Sequence, residues 1–592
     1  MDEVKEENKV SFKEKWINRI KNFTWQDWGL VIIILVLLAI QLSIFSAFQH
    51  IPGPIYGGDL YRERGYTEHI LRGNMPWSDP LFLNEINYFP WLAHLLASAL
   101  ILITKLSAQT VLIYFPTILL ILTGIFLYLL GQKIFRNKTY ALILPLIYLS
   151  RIFIESKHTE GSARVLSILF LLFWFQSQEN KRIKDFVYIG VVLGLISLLH
   201  GSIFINAMIF FMSLLLFEVV EKIKKNNFEI KEFIKKYALT SIILFSLSML
   251  FFGPLIAKYH LQTLNNSYAY AIIDLKALGT FWSLKQALNV FFNFSSPITM
   301  VLGLVSFLGL ILVLLNMKKN NYRFVIYLFF GTIIASAHYL ITAPLFNKWM
   351  EPGHMLSLMI IPSSIFFVFG IKMISIGLKK ITKRHLLISL FIATIIICSS
   401  FSVSIKDFNN SRWTQYGKSM DPHTRAILDF GDWIKQNTNK DDVFLANDET
   451  SFALNAVSGA KVVMSRRVHA SYFADVDKKY ADGMVMLYSG DEETVKNLLK
   501  QYNVKYLYLD QYLLNYPMIT GLKHQEYLNK NKINFTVANV RLDPSTSYAP
   551  TFDSLVVPPQ NLMILNLFYP VKEVLADGNG IGVLYKVKNN LD

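Results

Sequence analysis

Apolar residues dominate twelve stretches of this chain, at roughly 29–48, 91–106, 110–130, 140–154, 164–177, 186–200, 202–217, 238–257, 297–315, 324–341, 356–378 and 386–405. A helix needs about 20 apolar residues to cross a bilayer core of about 30 Å. The pattern predicts a polytopic α-helical membrane protein. From about residue 406 it changes. Short apolar runs such as VFLA (443–446), KVVM (461–464) and VKYLYL (504–509) predict strands. Helical stretches at 422–436 and 491–502 lie between them, with Asp, Asn and Gly at the joins. Residues 406–592 are therefore expected to form a soluble α/β domain.

Basic residues orient the spans. Lys133, Arg136 and Lys138 form one basic loop, and Lys181, Arg182 and Lys184 a second. Residues 222–236 carry six lysines, Lys318, Lys319 and Arg323 follow, and Lys379, Lys380, Lys383 and Arg384 complete the set. All five loops should be cytoplasmic. That requires residues 1–28 to be a cytoplasmic segment and one early stretch not to cross. Stretch 91–106 is short, follows Pro90, and carries His94 and Lys105, so it reads as an interfacial or re-entrant helix; a full crossing is the alternative. The count expected is eleven to thirteen transmembrane helices, and eleven satisfies every loop. Asp59, Glu160, His260, Glu351 and the tail then face outward from an integral plasma-membrane protein.

Composition agrees. Of 592 residues, 53% are hydrophobic, and the mean hydropathy is +0.37. The net charge of +16 lies in short loops between spans, which removes nucleic acid as a partner. The one cysteine, Cys398, excludes a disulfide framework and a cysteine-based zinc site. The N-terminus is too long and polar for a signal peptide, and no small-residue cleavage site follows the first apolar run.

Chemistry concentrates at the outer face. The long loop 49–90 contains GGDLYRERGYTEH, with Asp59 after two glycines and Arg62, Glu63 and Arg64 beyond it. In a helix starting near Asp59, residues 59, 62, 63 and 66 share one face. A carboxylate at a membrane edge suits a cation, a metal or a polar substrate. A solvated charged loop with local salt bridges is the alternative. A second cluster, ESKHTEGSAR (155–164), brings Glu155, His158 and Glu160 within six positions. Imidazole with carboxylate suits Mn²⁺, Zn²⁺ or Mg²⁺, although a plain polar turn has the same spacing. Arg164, just inside the next span, calls for an anion or a carboxylate. In NKWMEPGHM (347–355), Lys348 and His354 suit a phosphate, and Glu351 could neutralise either.

Together these positions resemble the GT-C superfamily of membrane glycosyltransferases, which share an acidic residue in the first outer loop. GGD, ending at Asp59, matches it, and ILRGNMPWSDPLFLNEINYFPWLAH (70–94) is similar to the stretch that follows. HTE stands where oligosaccharyltransferase catalytic subunits complete a divalent-metal site. EPGH resembles a late-loop motif that usually supplies an arginine for the carrier phosphate; here His354 takes that place. The tail at 429–469 and 498–510 resembles the outer domain of these enzymes, and the chain as a whole distantly resembles oligosaccharyltransferase catalytic subunits and protein O-mannosyltransferase-like enzymes. In place of the WWDYG acceptor motif stands ANDETSF (446–452).

The resemblance implies a GT-C-like transmembrane domain over 29–405 and sugar transfer from a polyprenyl-phosphate or diphosphate carrier. The acceptor would be a glycan, lipid or protein, with membrane lipids around the spans. Asp59 would be base or metal ligand. Arg62, Arg164, Lys348, Glu351 and His354 would meet substrate. Asp59, His158 and Glu160 would hold a metal, Mn or Mg, if one is used. A transporter or flippase, or a non-catalytic binder of lipid-linked sugars, is the competing class. The missing Trp pair argues against an ordinary Asn-sequon acceptor.

Overall fold

The computed structural model describes residues 23–588 apart from 57, 154–156, 181, 227–228, 263, 265–284, 286–287, 290–295, 338–351, 542–550 and 577–578. Each of the twelve apolar stretches contains a helix. In chain order the membrane part holds α1 (Trp25–Phe45), α2 (Asp59–Leu71), α3 (Leu92–Thr104), α4 (Ala108–Phe135), α5 (Lys138–Arg151), α6 (His158–Asn180) and α7 (Ile183–Leu199). It continues with α8 (Gly201–Lys224), α9 (Ile230–Tyr259), α10 (Pro297–Leu315), α11 (Asn320–Ala337), α12 (Pro352–Lys379) and α13 (His385–Asn410). Among the described residues seven of these are long and apolar enough to span a bilayer by length and composition alone. The others are shorter or begin in polar turns.

Basic residues mark one end of the bundle. Asp27, at the start of α1, accepts from Lys138 at 2.6 Å and from Tyr128 at 2.7 Å. Glu179, closing α6, pairs with Lys133 at 2.7 Å and Arg136 at 3.9 Å. Glu221, closing α8, pairs with Arg323 at 2.6 Å. The opposite end carries the outer domain, where Tyr259 stacks on Phe473 at 5.3 Å. Helix α3 is a short apolar helix of 13 residues, rising about 20 Å. It opens with His94 against His158, and just beyond it Gln109 reaches the Gln49 carbonyl, at 2.7 Å.

Two expected boundaries move. Helix α1 begins at Trp25, ahead of residue 29, because Asp27 reaches back to the Thr24 backbone N–H at 2.8 Å and caps the first turn. Helix α13 runs to Asn410, past residue 405, and ends where Ser411 caps the next short helix, α14 (Arg412–Lys418), through the Thr414 N–H. Within the bundle, Gly309 of α10 and Gly370 of α12 let two backbones touch. A Cβ on either would overlap a main-chain carbonyl of the other helix, Phe366 or Val305.

The outer domain contains helices α15 (Pro422–Asn437), α16 (Asp448–Ser458), α17 (Val476–Tyr488), α18 (Glu492–Gln501) and α19 (Gln511–Asn515). Its strands are β1 (Val443–Leu445), β2 (Lys461–Val462), β3 (Val504–Asp510), β4 (Met518–Gly521), β5 (Thr536–Arg541), β6 (Thr551–Val557), β7 (Phe568–Ala576) and β8 (Asn579–Val587). A five-stranded sheet has the order β2-β1-β3-β8-β7, parallel from β2 to β3 and antiparallel beyond. An antiparallel sheet has the order β4-β6-β5. The three strand-like runs of the sequence are β1, β2 and β3.

The loop 49–90 is not a solvated linker. Ile51, Ile55, Leu60, Tyr61, Leu81 and Phe82 share one hydrophobic core with Phe430, Phe444 and Phe452 of the outer domain. Gly65 brings α2 against α16: a Cβ there would lie 2.6 Å from Asn455 Oδ1 and 3.1 Å from Ala456 Cα. Gly459, at φ +69°, lies against Glu68 and His69 from the same domain, and on the bundle side Ser98 of α3 donates to the Thr67 carbonyl at 3.2 Å. Helix α2 is thereby clamped between the membrane bundle and the outer domain.

Candidate functional site

Asp59 is the first residue of α2, with Gly58 as its N-cap. Gly58 bonds back to the Pro54 carbonyl at 2.8 Å, and a Cβ on it would lie 2.9 Å from that oxygen, so the tight turn before Asp59 needs glycine. The carboxylate is held by side chains from distant parts of the chain. Lys157, just ahead of α6, meets one oxygen at 2.5 Å. His469, from the outer domain, meets the other at 3.1 Å. Arg62, one turn along α2, adds a positive charge on the same face.

Burial alone would push the Asp59 carboxyl up. The His469 hydrogen bond and the charges of Arg62 and Lys157 prevail and hold it well below the usual carboxylate range. An ionised carboxylate can only accept, so the imidazole hydrogen belongs on Nε2 of His469. Burial pushes that imidazole down to about 4, against the pull of Asp59, so the ring is neutral at pH 7. Its face lies on Phe452 at 4.8 Å, and its Nδ1 is buried without a hydrogen-bond partner.

Arg62 has its guanidinium over the Phe89 ring at 4.6 Å. Its Nε is buried and lacks a hydrogen-bond partner. Among the described residues no carboxylate lies within ion-pair distance of it. A half-buried guanidinium in that state is available to an anion.

Beside Leu60 lies a small, largely apolar cavity of about 20 Å³, lined by Phe45, Phe48, Leu112, His158 and Phe408 among others. A second of the same size shares Pro116 with it and has Arg164 in its wall.

The HTE cluster does not join Asp59. Glu63, 1% exposed, takes His158 for itself: its carboxylate accepts from the His158 N–H at 3.2 Å, lies 2.5 Å from His158 Nδ1, and accepts from Thr159. It thereby caps α6, where a negative charge is favoured. The other ring nitrogen of His158 meets His94 at 3.1 Å. Glu160 pairs with Arg164 one turn on. Among the described residues no three His, Cys, Asp or Glu side chains converge so as to hold a metal ion. The set Asp59, His158 and Glu160 thus does not fit a metal, because two of its members are committed to other partners. Arg164 has its carboxylate in Glu160. Glu155, Lys348 and Glu351 lie outside the described residues, as does the side chain of His354, which sits in the first turn of α12.

Two residues of the site escaped the sequence reading. Lys157 stands next to the HTE motif and was passed over for its more obviously ligating neighbours. His469 lies 410 positions from Asp59. Nothing local marks it.

No family model matches the chain. It is 32% identical over 118 residues to uncharacterized protein MJ1080 of Methanocaldococcus jannaschii, a match that covers 19% of this chain and 87% of that one. The crystal structure of the Archaeoglobus fulgidus oligosaccharyltransferase in the apo form superposes on 94% of this chain and 80% of its own, with a TM-score of 0.52 at 14% identity. ArnT from Cupriavidus metallidurans bound to undecaprenyl phosphate superposes on 90% of this chain and 97% of its own, with a TM-score of 0.47 at 10% identity. This chain is therefore an integral membrane protein with the GT-C fold, and it belongs to the same family as MJ1080.

Proposed function

We propose that the chain is a membrane glycosyltransferase that moves a sugar from a polyprenyl-phosphate or diphosphate carrier to an acceptor at the outer face, with Asp59 as general base. The observation that carries the reading is the Asp59 cluster: a carboxylate at the membrane edge, flanked by Lys157, Arg62 and His469. The fold shared with an oligosaccharyltransferase supports it.

In this scheme Asp59 takes the proton of an acceptor hydroxyl as its oxygen bonds to the anomeric carbon. The bond from that carbon to the phosphate oxygen breaks, and the phosphate leaves with the electron pair. Negative charge grows on the leaving group, so a fixed cation lowers the barrier. Arg62 is suited to that role. A carboxylate held far below neutrality is a weak base. Lys157 is the partner most easily moved, since its side chain is long and 27% exposed. Its transfer from Asp59 to an arriving phosphate would raise the basicity of Asp59 as the donor binds. The positive-inside rule puts the basic end of the bundle in the cytoplasm and the site outside.

The test is transfer from a polyprenyl-phosphate sugar in membranes carrying Asp59→Asn. Loss of a general base costs about 10²- to 10⁴-fold. Undiminished transfer by Asp59→Asn would remove Asp59 from the chemistry. Movement of a lipid-linked sugar across the membrane with no new glycosidic bond would instead identify a transporter.

A further inference from the structure

Three tyrosine rings form a ladder leading away from Asp59. Tyr56 precedes Asp59 by three residues, so their Cα atoms are within about 11 Å. Its ring lies on Tyr512 of α19, with centroids 4.8 Å apart and planes 37° apart. Tyr512 stacks on Tyr516 at 5.3 Å and 28°. Tyr516 is 54% exposed.

The ladder is firmly held. Asp510, at the end of β3, caps α19 by accepting from the Leu513 N–H at 3.0 Å, and it also accepts from Thr450 of α16. Helix α16 is the one whose Phe452 carries the ring of His469. A single helix therefore braces both the ladder and the partner of Asp59. It begins in the segment ANDETSF (446–452).

The surroundings narrow the ligand. Asp421, Glu449 and Asp510 act on the ladder from nearby. Their negative charge disfavours a phosphate or an anionic lipid headgroup. Gln511, Leu514 and Asn515 are exposed beside the rings. A pyranose has an apolar C–H face that lies flat on the negative face of an aromatic ring, and a rim of hydroxyls that needs acceptors and donors. We propose that Tyr56, Tyr512 and Tyr516 form a platform for a neutral saccharide acceptor, which delivers one hydroxyl to Asp59. This rests on the reading of Asp59 as the base.

The test uses the full-length protein in detergent micelles and saturation-transfer difference NMR, with maltotetraose, chitotetraose and mannotetraose as probes. At least one probe should show saturation, strongest at its ring C–H protons. The double variant Tyr512→Ala/Tyr516→Ala should bind it at least about tenfold more weakly, and Tyr512→Phe/Tyr516→Phe within about threefold of the parent, since phenylalanine keeps the aromatic face. Asp59→Asn should bind the probe normally and fail in transfer. If Asp59→Asn still transfers sugar, the base assignment falls while the platform is judged by NMR alone. Saturation of none of the three probes overturns the platform. So does binding that survives the alanine pair, or an alanine pair that changes oligomeric state alone.

Discussion

Adding one methyl group at Gly65 should pull the site apart. The residue lies in the middle of α2, six positions past Asp59, and its neighbours across the contact cannot give way. Asn455 Oδ1 would be 2.6 Å from the new Cβ. That side chain is pinned, because its Nδ2 donates to the Pro80 and Ala460 carbonyls at 2.8 Å each. The Ala456 backbone, at 3.1 Å, is no softer. Two effects oppose each other. Alanine favours the helix over glycine by about 1 kcal/mol. Overpacking costs about 1–3 kcal/mol, and displacing Asn455 would cost about 0.5–1.5 kcal/mol for each hydrogen bond lost. The net expectation for Gly65→Ala is a destabilisation of about 1–4 kcal/mol in the unit joining α2 to the outer domain. At about 2–4 °C per kcal/mol for a unit of that size, its thermal midpoint in detergent should fall by roughly 2–15 °C at a fixed scan rate. Gly201→Ala is the control, since no atom lies within 4 Å of its Cβ. Transfer by Gly65→Ala should fall as well, because α2 carries Asp59 away from His469. An unchanged or raised midpoint for Gly65→Ala would refute the claim that this contact sets the site.

Other expectations follow from the same geometry. Asp79 is fully buried, and burial raises its carboxyl to about 6 against the pull of Lys461. A carboxyl raised above its unfolded value favours the folded state while protonated, so that contribution, up to about 3 kcal/mol, is present below about pH 4 and is lost as pH rises to about 6. Thermal midpoints of the parent relative to Asp79→Asn should therefore decline across that window; a flat difference would contradict the assignment. Glu160→Gln removes the partner of Arg164 and should lower the midpoint without altering any response of transfer to added Mn²⁺ or Mg²⁺. With Cys398 replaced by Ala, a cysteine at Asn515 should react with an impermeant thiol reagent from outside intact cells, and one at Lys319 should not. The reverse labelling would invert the topology.

How much was legible follows from the range of the forces involved. Periodicity and charge are local, so the twelve helices and the change to an α/β domain near residue 406 could be read along the chain. The turn that places Asp59 at the head of a helix was equally local, written in two glycines. The spacing of His158 and Glu160 misled, because proximity in sequence says nothing of which carboxylate a buried histidine will meet. Glu63 lies 95 residues from His158, and folding brought it to the start of α6, where the helix N-terminus favours an anion. His469 was hidden for the same reason.

Sequence alone thus determined that this protein is a membrane bundle with an appended α/β domain and a carboxylate near their junction, since burial of apolar surface and solvation of charge act residue by residue. Tertiary structure alone decided what surrounds that carboxylate. The packing of α2 between bundle and domain selected Lys157 and His469 as partners of Asp59, removed His158 and Glu160 from its reach, and turned Tyr56 toward Tyr512. Those choices depend on contacts between segments 95 to 410 residues apart and more, which local sequence does not encode.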